Sequence, residues 1–167
     1  FGLSFNKQFN SDKYLTIIPN STYGPGDNFD GNSGHVLSAL ISKFHLAKEE
    51  QAPFVKLWGS GTPRREFVYS EDLADAIIFM LEKGIESQTE PINVGVGYDV
   101  SIADLASIIK DVVGFTGKIE WDKAKPDGAP KKLLNSSLIK SLGWRAKFDL
   151  QRGIKYTYES YLANLRG

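Results

Sequence analysis

Apolar residues recur along the chain with two periods, and these predict strands that alternate with helices. Short runs rich in β-branched and aromatic residues predict strands. These runs occupy residues 14–19, 54–58, 66–69, 91–95 and 118–121. Apolar positions three or four residues apart predict helices. These begin at His35, Ser70, Ser101 and Asp149, with a shorter helix at 136–142 and the end of a helix at 1–10. This alternation is typical of the α/β class.

Polar residues at the predicted helix ends indicate where the helices begin and stop. Ser70 is expected to cap one helix, and Ser101 with Asp104 resembles a capping box. Gly114 is expected to end that second helix, and Asp149 to cap the last one. The apolar stripe of the helix after Ser70 is expected to comprise Leu73, Ala74, Ile77, Ile78 and Leu81.

A long polar segment at 20–34 separates the first predicted strand from the helix at His35. Loops of this length are uncommon inside a compact domain and are often functional. Histidine titrates near neutral pH, so His35 is a candidate for proton transfer, although a histidine here could also only cap or pack. His45 lies among lysine and glutamate residues in the middle of a helix and is expected at the surface.

The sequence WGSGTPRREF at 58–67 combines flexible glycines, a stiffening proline and two adjacent arginines. A guanidinium group presents a planar fork that fits phosphate, so Arg64 or Arg65 is a candidate anion ligand. The alternative is a solvated arginine pair that forms salt bridges with Glu66 or Glu71.

Two further motifs are weaker. A Gly-x-Gly turn within 93–101, with Glu120 at the end of the next strand, partly resembles a dinucleotide fingerprint. The third glycine is missing, so a tight strand-to-helix turn is favoured. A turn within 125–135 presents Lys131 and Lys132, which are either solvent-exposed or part of an anion site.

Composition excludes several classes of function. The 167 residues carry no net charge at pH 7, which argues against a dedicated nucleic-acid or membrane-surface binder. Without cysteine there are no disulfides, thiolate nucleophiles or cysteine zinc sites. No metal-ligand spacing, Ser-His-Asp set or Tyr-x-x-x-Lys pair occurs, and no apolar run reaches the roughly 20 residues of a membrane span. A cytoplasmic location is expected.

The motifs occur in the order found in the GDP-L-fucose synthases, a branch of the extended short-chain dehydrogenase/reductases within the NAD-dependent epimerase/dehydratase family. The shared segments include YGPGDNF (23–29), NSGHV (32–36), INVGVG (92–97) and LGW (142–144). WGSGTPRREF and KPDGAPKKLL (125–134) resemble this branch more specifically. The resemblance covers essentially the whole chain.

The resemblance implies the C-terminal, substrate-binding part of such an enzyme. Residues 1–34 would end the Rossmann part, and 35–167 would form the substrate-binding domain. The implied reaction is 3,5-epimerisation of GDP-4-keto-6-deoxy-mannose, followed by NADPH-dependent reduction at C4. His35 would be the general acid.

The resemblance also assigns binding residues. Arg65 and Lys132 would bind the diphosphate of the GDP-sugar, and Lys43 stands where relatives often carry a phosphate-binding arginine. The remaining assignments are Trp58, Gly59 and Ser21 at the substrate, and Asn20, Ser21 and His35 near the cofactor.

The chain also departs from the family pattern. The family's Tyr-x-x-x-Lys pair and glycine-rich cofactor loop are absent, so NADP is expected to bind mainly upstream and the chain alone is expected to be inactive. Family members are usually homodimers, which makes a homodimer a further expectation. Relatives usually read Asn-Leu-Tyr where this chain has Ser21-Thr22-Tyr23, which keeps open an enzyme for another nucleotide sugar, such as a GDP-heptose epimerase or reductase. A non-catalytic GDP-sugar-binding remnant is a further alternative.

Overall fold

The computed structural model describes residues 2–11, 14–31, 34–84 and 90–165. Helices and strands alternate along the chain, which confirms the α/β class. The helices are α1 (Gly2–Phe9), α2 (Val36–Glu49), α3 (Ser70–Lys83), α4 (Ile102–Val113), α5 (Ser137–Ser141) and α6 (Leu150–Asn164). The strands are β1 (Ile17–Pro19), β2 (Ser21–Tyr23), β3 (Phe54–Trp58), β4 (Arg64–Arg65), β5 (Phe67–Tyr69), β6 (Ile92–Val94), β7 (Val100–Ser101), β8 (Lys118–Asp122) and β9 (Lys131–Lys132).

The strands form small sheets in which most pairs are parallel. β1 pairs with β6, β2 with β5, and β3 with β8, all in parallel. β4 lies between β7, which is antiparallel to it, and β9, which is parallel. The chain leaves one sheet and enters another at Asn20, between β1 and β2, and again at Glu66, between β4 and β5.

Two hydrophobic cores hold these sheets in place. The larger one contains α2, α4 and α6 together with β3 and β5, and its centre includes the fully buried Phe44 and Ile109. The smaller one joins α3, α5 and β6 through Met80, Ile92 and Ile139. Asn20 therefore lies where the chain passes from the smaller core, at Ile17, to the larger one, at Tyr23.

Two of the three predicted helix caps are confirmed. Ser101 Oγ accepts a hydrogen bond from the Asp104 amide at 2.9 Å and donates to the Asp104 carboxylate at 2.7 Å. Asp149 accepts from the Arg152 amide at 2.8 Å. The prediction for Ser70 is wrong, because α3 already begins at Ser70 and Tyr69 is its N-cap residue.

The predicted apolar stripe of α3 is wrong for all its members except Leu73, which packs against the smaller core. Ile78 and Leu81 are 55% and 73% exposed, whereas Ala76 and Met80 are buried. The helix packs on β6 and α5 through the face that carries Ala76 and Met80.

His45 is buried, so its predicted surface position is wrong. Its Nδ1 lies 3.0 Å from the Tyr158 hydroxyl, and its ring packs edge-on against Tyr158 and Tyr161. His45 is buried because α6 packs against the side of α2 on which it lies, although its neighbours in sequence are polar. The predicted loop 20–34 likewise contains strand β2, which forms because β5 is available as a partner.

Within the described part of the chain, no helix is both long and apolar enough to cross a membrane.

Candidate functional site

A cleft of about 400 Å³ opens where β2, β4 and β9 meet the N-terminus of α2. Five residues predicted from the sequence line it: Asn20, Ser21, His35, Arg65 and Lys132. They come from four separate segments of the chain. The fold therefore brings together side chains that are up to 112 residues apart in sequence, from Asn20 to Lys132.

The register of β4 and β9 places two of the four neighbouring cationic side chains on each face of this strand pair. Arg64 pairs with Lys131 and Arg65 with Lys132 across β4 and β9. Successive side chains of a strand point to opposite faces, so Arg64 and Lys131 share one face while Arg65 and Lys132 share the other.

Asp99 neutralises the face that points away from the cleft. Its carboxylate accepts a 2.5 Å hydrogen bond from Arg64 Nε and lies 2.9 Å from Lys131 Nζ. Hydrogen bonds from Lys131 and from Arg64 lower the pKa of the Asp99 carboxyl below its usual value. The expected alternative, in which the arginines pair with Glu66 or Glu71, is wrong for Arg64.

The cleft face keeps its positive charge. Arg65 donates to the carbonyl oxygens of Ala129, at 2.6 Å, and Arg64, at 2.8 Å. Neither Arg65 nor Lys132 forms an ion pair with any residue in the described ranges. Two adjacent cations without a carboxylate partner fit an anion with two charges, such as a diphosphate.

Replacing Asp99 by asparagine tests this sorting of charges. The pKa of Asp99 is lowered in the folded state, so its contribution to stability is complete above the unfolded value of about 3.9 and is lost as pH falls further. We expect the D99N variant to melt at a lower temperature than the wild type at pH 7, and the difference to shrink below about pH 3. Thermal melts from pH 7 to pH 2.5 measure this. The exposed Asp111 provides the control, since D111N is expected to melt like the wild type; an equal effect of both substitutions would contradict the assignment.

His35 combines exposure with a carboxylate neighbour. It is the N-cap residue of α2, and its side chain is 80% exposed at the cleft. Its Nδ1 lies 3.5 Å from Asp27 Oδ1, and the Asp27 side chain is only 12% exposed. A carboxylate on one ring nitrogen orients the imidazole and leaves the other nitrogen for proton transfer. Asp27 was missed in the sequence, although it lies within the YGPGDNF motif.

Trp58, Gly59 and Lys43 do not line this cleft. Trp58 is 67% exposed, and the ammonium groups of Lys43 and Lys125 lie 5.6 and 5.5 Å from its ring centroid. The segment 125–130 links the residues around Trp58 to the cleft. Asp127 accepts a hydrogen bond from the Ser60 amide, while the Ala129 carbonyl accepts one from Arg65. Lys125 could not be singled out within its segment from the sequence alone.

The Gly-x-Gly turn after β6 is not arranged as a dinucleotide site. Glu120 lies in β8, which pairs with β3 and not with β6. The Gly97 amide donates to the carboxylate of Glu66 at 2.6 Å and is therefore not available to a phosphate. The interpretation of this segment as a tight turn is therefore favoured.

Comparison with known proteins decides the family. The NAD dependent epimerase/dehydratase family matches residues 3–95, more than half of the chain. The chain belongs to this family. The GDP-L-fucose synthase of Sinorhizobium fredii (strain NBRC 101917 / NGR234) is 46% identical over 162 residues, which are 97% of this chain and 51% of that protein. The chain thus spans about half the length of the curated relatives it matches, and the resemblance seen in its motifs is confirmed.

Members of the family with solved structures have the same fold. A GDP-L-fucose synthetase from Naegleria fowleri bound to NADP matches with a TM-score of 0.87 and 31% identity, over 99% of this chain and 53% of that one. A GDP-6-OMe-4-keto-L-xylo-heptose reductase from C. jejuni matches with a TM-score of 0.86 and 34% identity, over 98% of this chain and 57% of that one. The α/β arrangement is therefore that of GDP-sugar reductases and epimerases.

Proposed function

We propose that the chain forms the GDP-sugar-binding part of an enzyme similar to GDP-L-fucose synthase. That enzyme would epimerise GDP-4-keto-6-deoxy-mannose at C3 and C5 and then reduce C4 with NADPH. The observation that carries the proposal is the pair Arg65 and Lys132, in register on one strand face and without carboxylate partners in the described chain, in the same cleft as His35.

In this proposal the cations anchor the substrate at a distance from the chemistry. Arg65 and Lys132 bind the diphosphate, while Trp58, Gly59 and Lys43 contact the part of the nucleotide that extends beyond the cleft. Ser21 faces the sugar. Binding energy gained at the diphosphate holds the reacting carbons in place, which lowers the entropic part of the barrier.

His35 would supply the proton in the epimerisation. The 4-ketone acidifies the protons on C3 and C5, so removal of one gives an enolate. An acid on the opposite ring face then returns a proton with inverted configuration. The exposed imidazole of His35, oriented by Asp27, is suited to this step.

The described residues could contact a nicotinamide cofactor only along one side of it. Ser21 and His35 offer a hydroxyl and an imidazole at the cleft, but the amide of Asn20 already donates to Glu66 and accepts from the Ser21 amide. We propose that these residues contact NADP and that most of its binding comes from the half of the relatives that the chain does not span. When bound, NADPH supplies the hydride for C4. Turnover by residues 1–167 alone is accordingly not expected.

A GDP-heptose reductase is the second candidate. Ser21 replaces the asparagine that is usual in the fucose synthases, and the engaged side chain of Asn20 is not free to take over that contact. The similarity to the C. jejuni heptose reductase favours the same alternative. Turnover of GDP-4-keto-6-deoxy-mannose against a GDP-4-keto-heptose, measured after the chain is joined to the half of a relative that it does not span, would separate the two candidates.

Both candidate functions require that the chain binds a GDP-sugar. Calorimetric titration of the chain with GDP, UDP and CDP tests this requirement. We expect GDP to bind more tightly than UDP or CDP. Binding of none of the three would overturn the proposal, and it would also count against a non-catalytic GDP-sugar-binding remnant. The division at residue 34 and a homodimer remain predictions, and sedimentation equilibrium would test the second.

A further inference from the structure

Glu66 is a fully buried carboxylate beside the cleft, and the proposed mechanism does not use it. Its oxygens accept hydrogen bonds from the Asn20 side-chain amide, from the Gly97 amide at 2.6 Å and from the Leu134 amide at 3.1 Å. No lysine or arginine in the described ranges forms an ion pair with it. The hydrogen-bond donors to this carboxylate in the described chain are therefore uncharged N–H groups.

Two of the three donors, Asn20 and Gly97, lie where the chain passes from one sheet to another, and the third lies just after a strand. Asn20 connects β1 to β2, Gly97 lies between β6 and β7, and Leu134 follows β9. Glu66 itself connects β4 to β5. One carboxylate thus links the β1–β6 pair to the strands that carry Ser21 on one side of the cleft and Arg65 and Lys132 on the other.

The backbone at Gly95 passes close to the Glu66 carboxylate. A Cβ atom on Gly95 would lie 2.5–2.8 Å from the Glu66 carboxylate atoms, closer than side-chain contacts allow. Residue 95 must therefore be glycine for the carboxylate to reach its donors. The site is built around an acceptor-only group, since a neutral side chain of the same shape cannot accept from all three N–H groups.

We propose that Glu66 is a positioning residue that sets the separation of the two sides of the cleft. It holds Asn20, and with it Ser21, against the segment after β9 that continues from Lys132. The carboxylate also contributes to stability, because an apolar side chain would leave these buried N–H groups without acceptors. The inference rests on the proposed function, since it assumes that both sides contact one GDP-sugar.

Replacing Glu66 by glutamine tests the inference at constant shape. Glutamine has a single acceptor oxygen, so at least one of the three N–H groups loses its acceptor whichever way the amide turns. We expect E66Q to bind GDP at least ten times more weakly than the wild type in calorimetry at a temperature where both are folded. Wild-type affinity in E66Q would overturn the inference.

Asp72 supplies a matched control for simple destabilisation. It is also buried, and its carboxylate accepts from the amides of Lys147 and Phe148, at 2.8 and 3.1 Å, away from the cleft lining. We expect D72N to lower the melting temperature as E66Q does, but to keep GDP affinity within about twofold of the wild type. An equal loss of affinity in D72N would reduce Glu66 to a structural role.

Amide NMR spectra decide the inference without any ligand. In E66Q we expect the Ser21 and Lys132 amide signals, on opposite sides of the cleft, to shift together, and in D72N we expect them to stay in place. Shifts confined to residues 65–67 would overturn the positioning role. If the wild-type chain binds no GDP, the proposed function fails, but the NMR comparison still decides whether Glu66 holds the two sides.

Discussion

Replacing Arg65 by alanine is expected to weaken GDP binding by about 2–5 kcal/mol, a loss of roughly 30-fold to several thousand-fold. The reason is that Arg65 presents its guanidinium group to the cleft while backbone carbonyls, not a carboxylate, hold it. Its charge is therefore available to a diphosphate. Calorimetry with GDP on the wild type and the variant measures the effect.

The neighbouring arginine is the control for this prediction. Arg64 has the same charge and lies in the same strand, but it faces Asp99 on the other side. We expect the R64A variant to bind GDP within about threefold of the wild type, because its charge is already neutralised. Equal losses in R64A and R65A would mean that only bulk positive charge matters, and the proposed diphosphate site would be wrong.

Replacing His35 by glutamine is expected to slow proton transfer to the sugar about 10²–10⁴-fold, the usual contribution of a general acid. The assay requires a complete enzyme. A chimaera can join this chain to the half of the Sinorhizobium fredii GDP-L-fucose synthase that it does not span. The measurement is the rate at which solvent deuterium enters C3 and C5 of GDP-4-keto-6-deoxy-mannose. An unchanged rate in H35Q would exclude His35 as the acid.

Substitution of His45, the second histidine, is the control that distinguishes a catalytic effect from a loss of stability. The His35 side chain is largely exposed, so H35Q should melt within about 1 °C of the wild type, as surface substitutions usually do. The buried His45 bonds to Tyr158, so H45Q should cost about 1–3 kcal/mol of stability and leave deuterium exchange unchanged in the folded chimaera. The reverse pattern would contradict both assignments.

Local sequence signals were sufficient for much of the fold. The five predicted strands and the helices at 35, 101 and 149 exist, and the caps at Ser101 and Asp149 form within three residues of sequence. These features depend on short-range periodicity and on side chains that bond nearby amides. Features that depend on a distant partner were missed. Strand β2 forms only because β5 lies beside it, and His45 is buried by Tyr158, 113 residues away.

In the candidate site, too, residues within recognisable motifs could be predicted, whereas contacts with distant partners could not. The resemblance in the motifs identified Arg65, Lys132 and His35, and the structure brings all three to one cleft. The choice between Arg64 and Arg65 could not be made from their own segment, because Asp99, which occupies Arg64, lies 35 residues further along. Lys125 approaches Trp58 only through the folded turn. Asp27 could have been found, since it lies in a quoted motif close to His35 in sequence.

Because the side chains of β4 alternate between two faces, the length of the turn before β4 determines which arginine faces the cleft. Surface turns usually accept insertions and deletions, but a shift of one residue turns every side chain of a strand to the opposite face. Deleting one residue between Trp58 and Arg64 would move Arg65 towards Asp99 and bring an acidic side chain to the anion-binding face. The face that held two cations would then carry one cation and one carboxylate, and most of its attraction for phosphate would be lost with no change in amino-acid type at any other position.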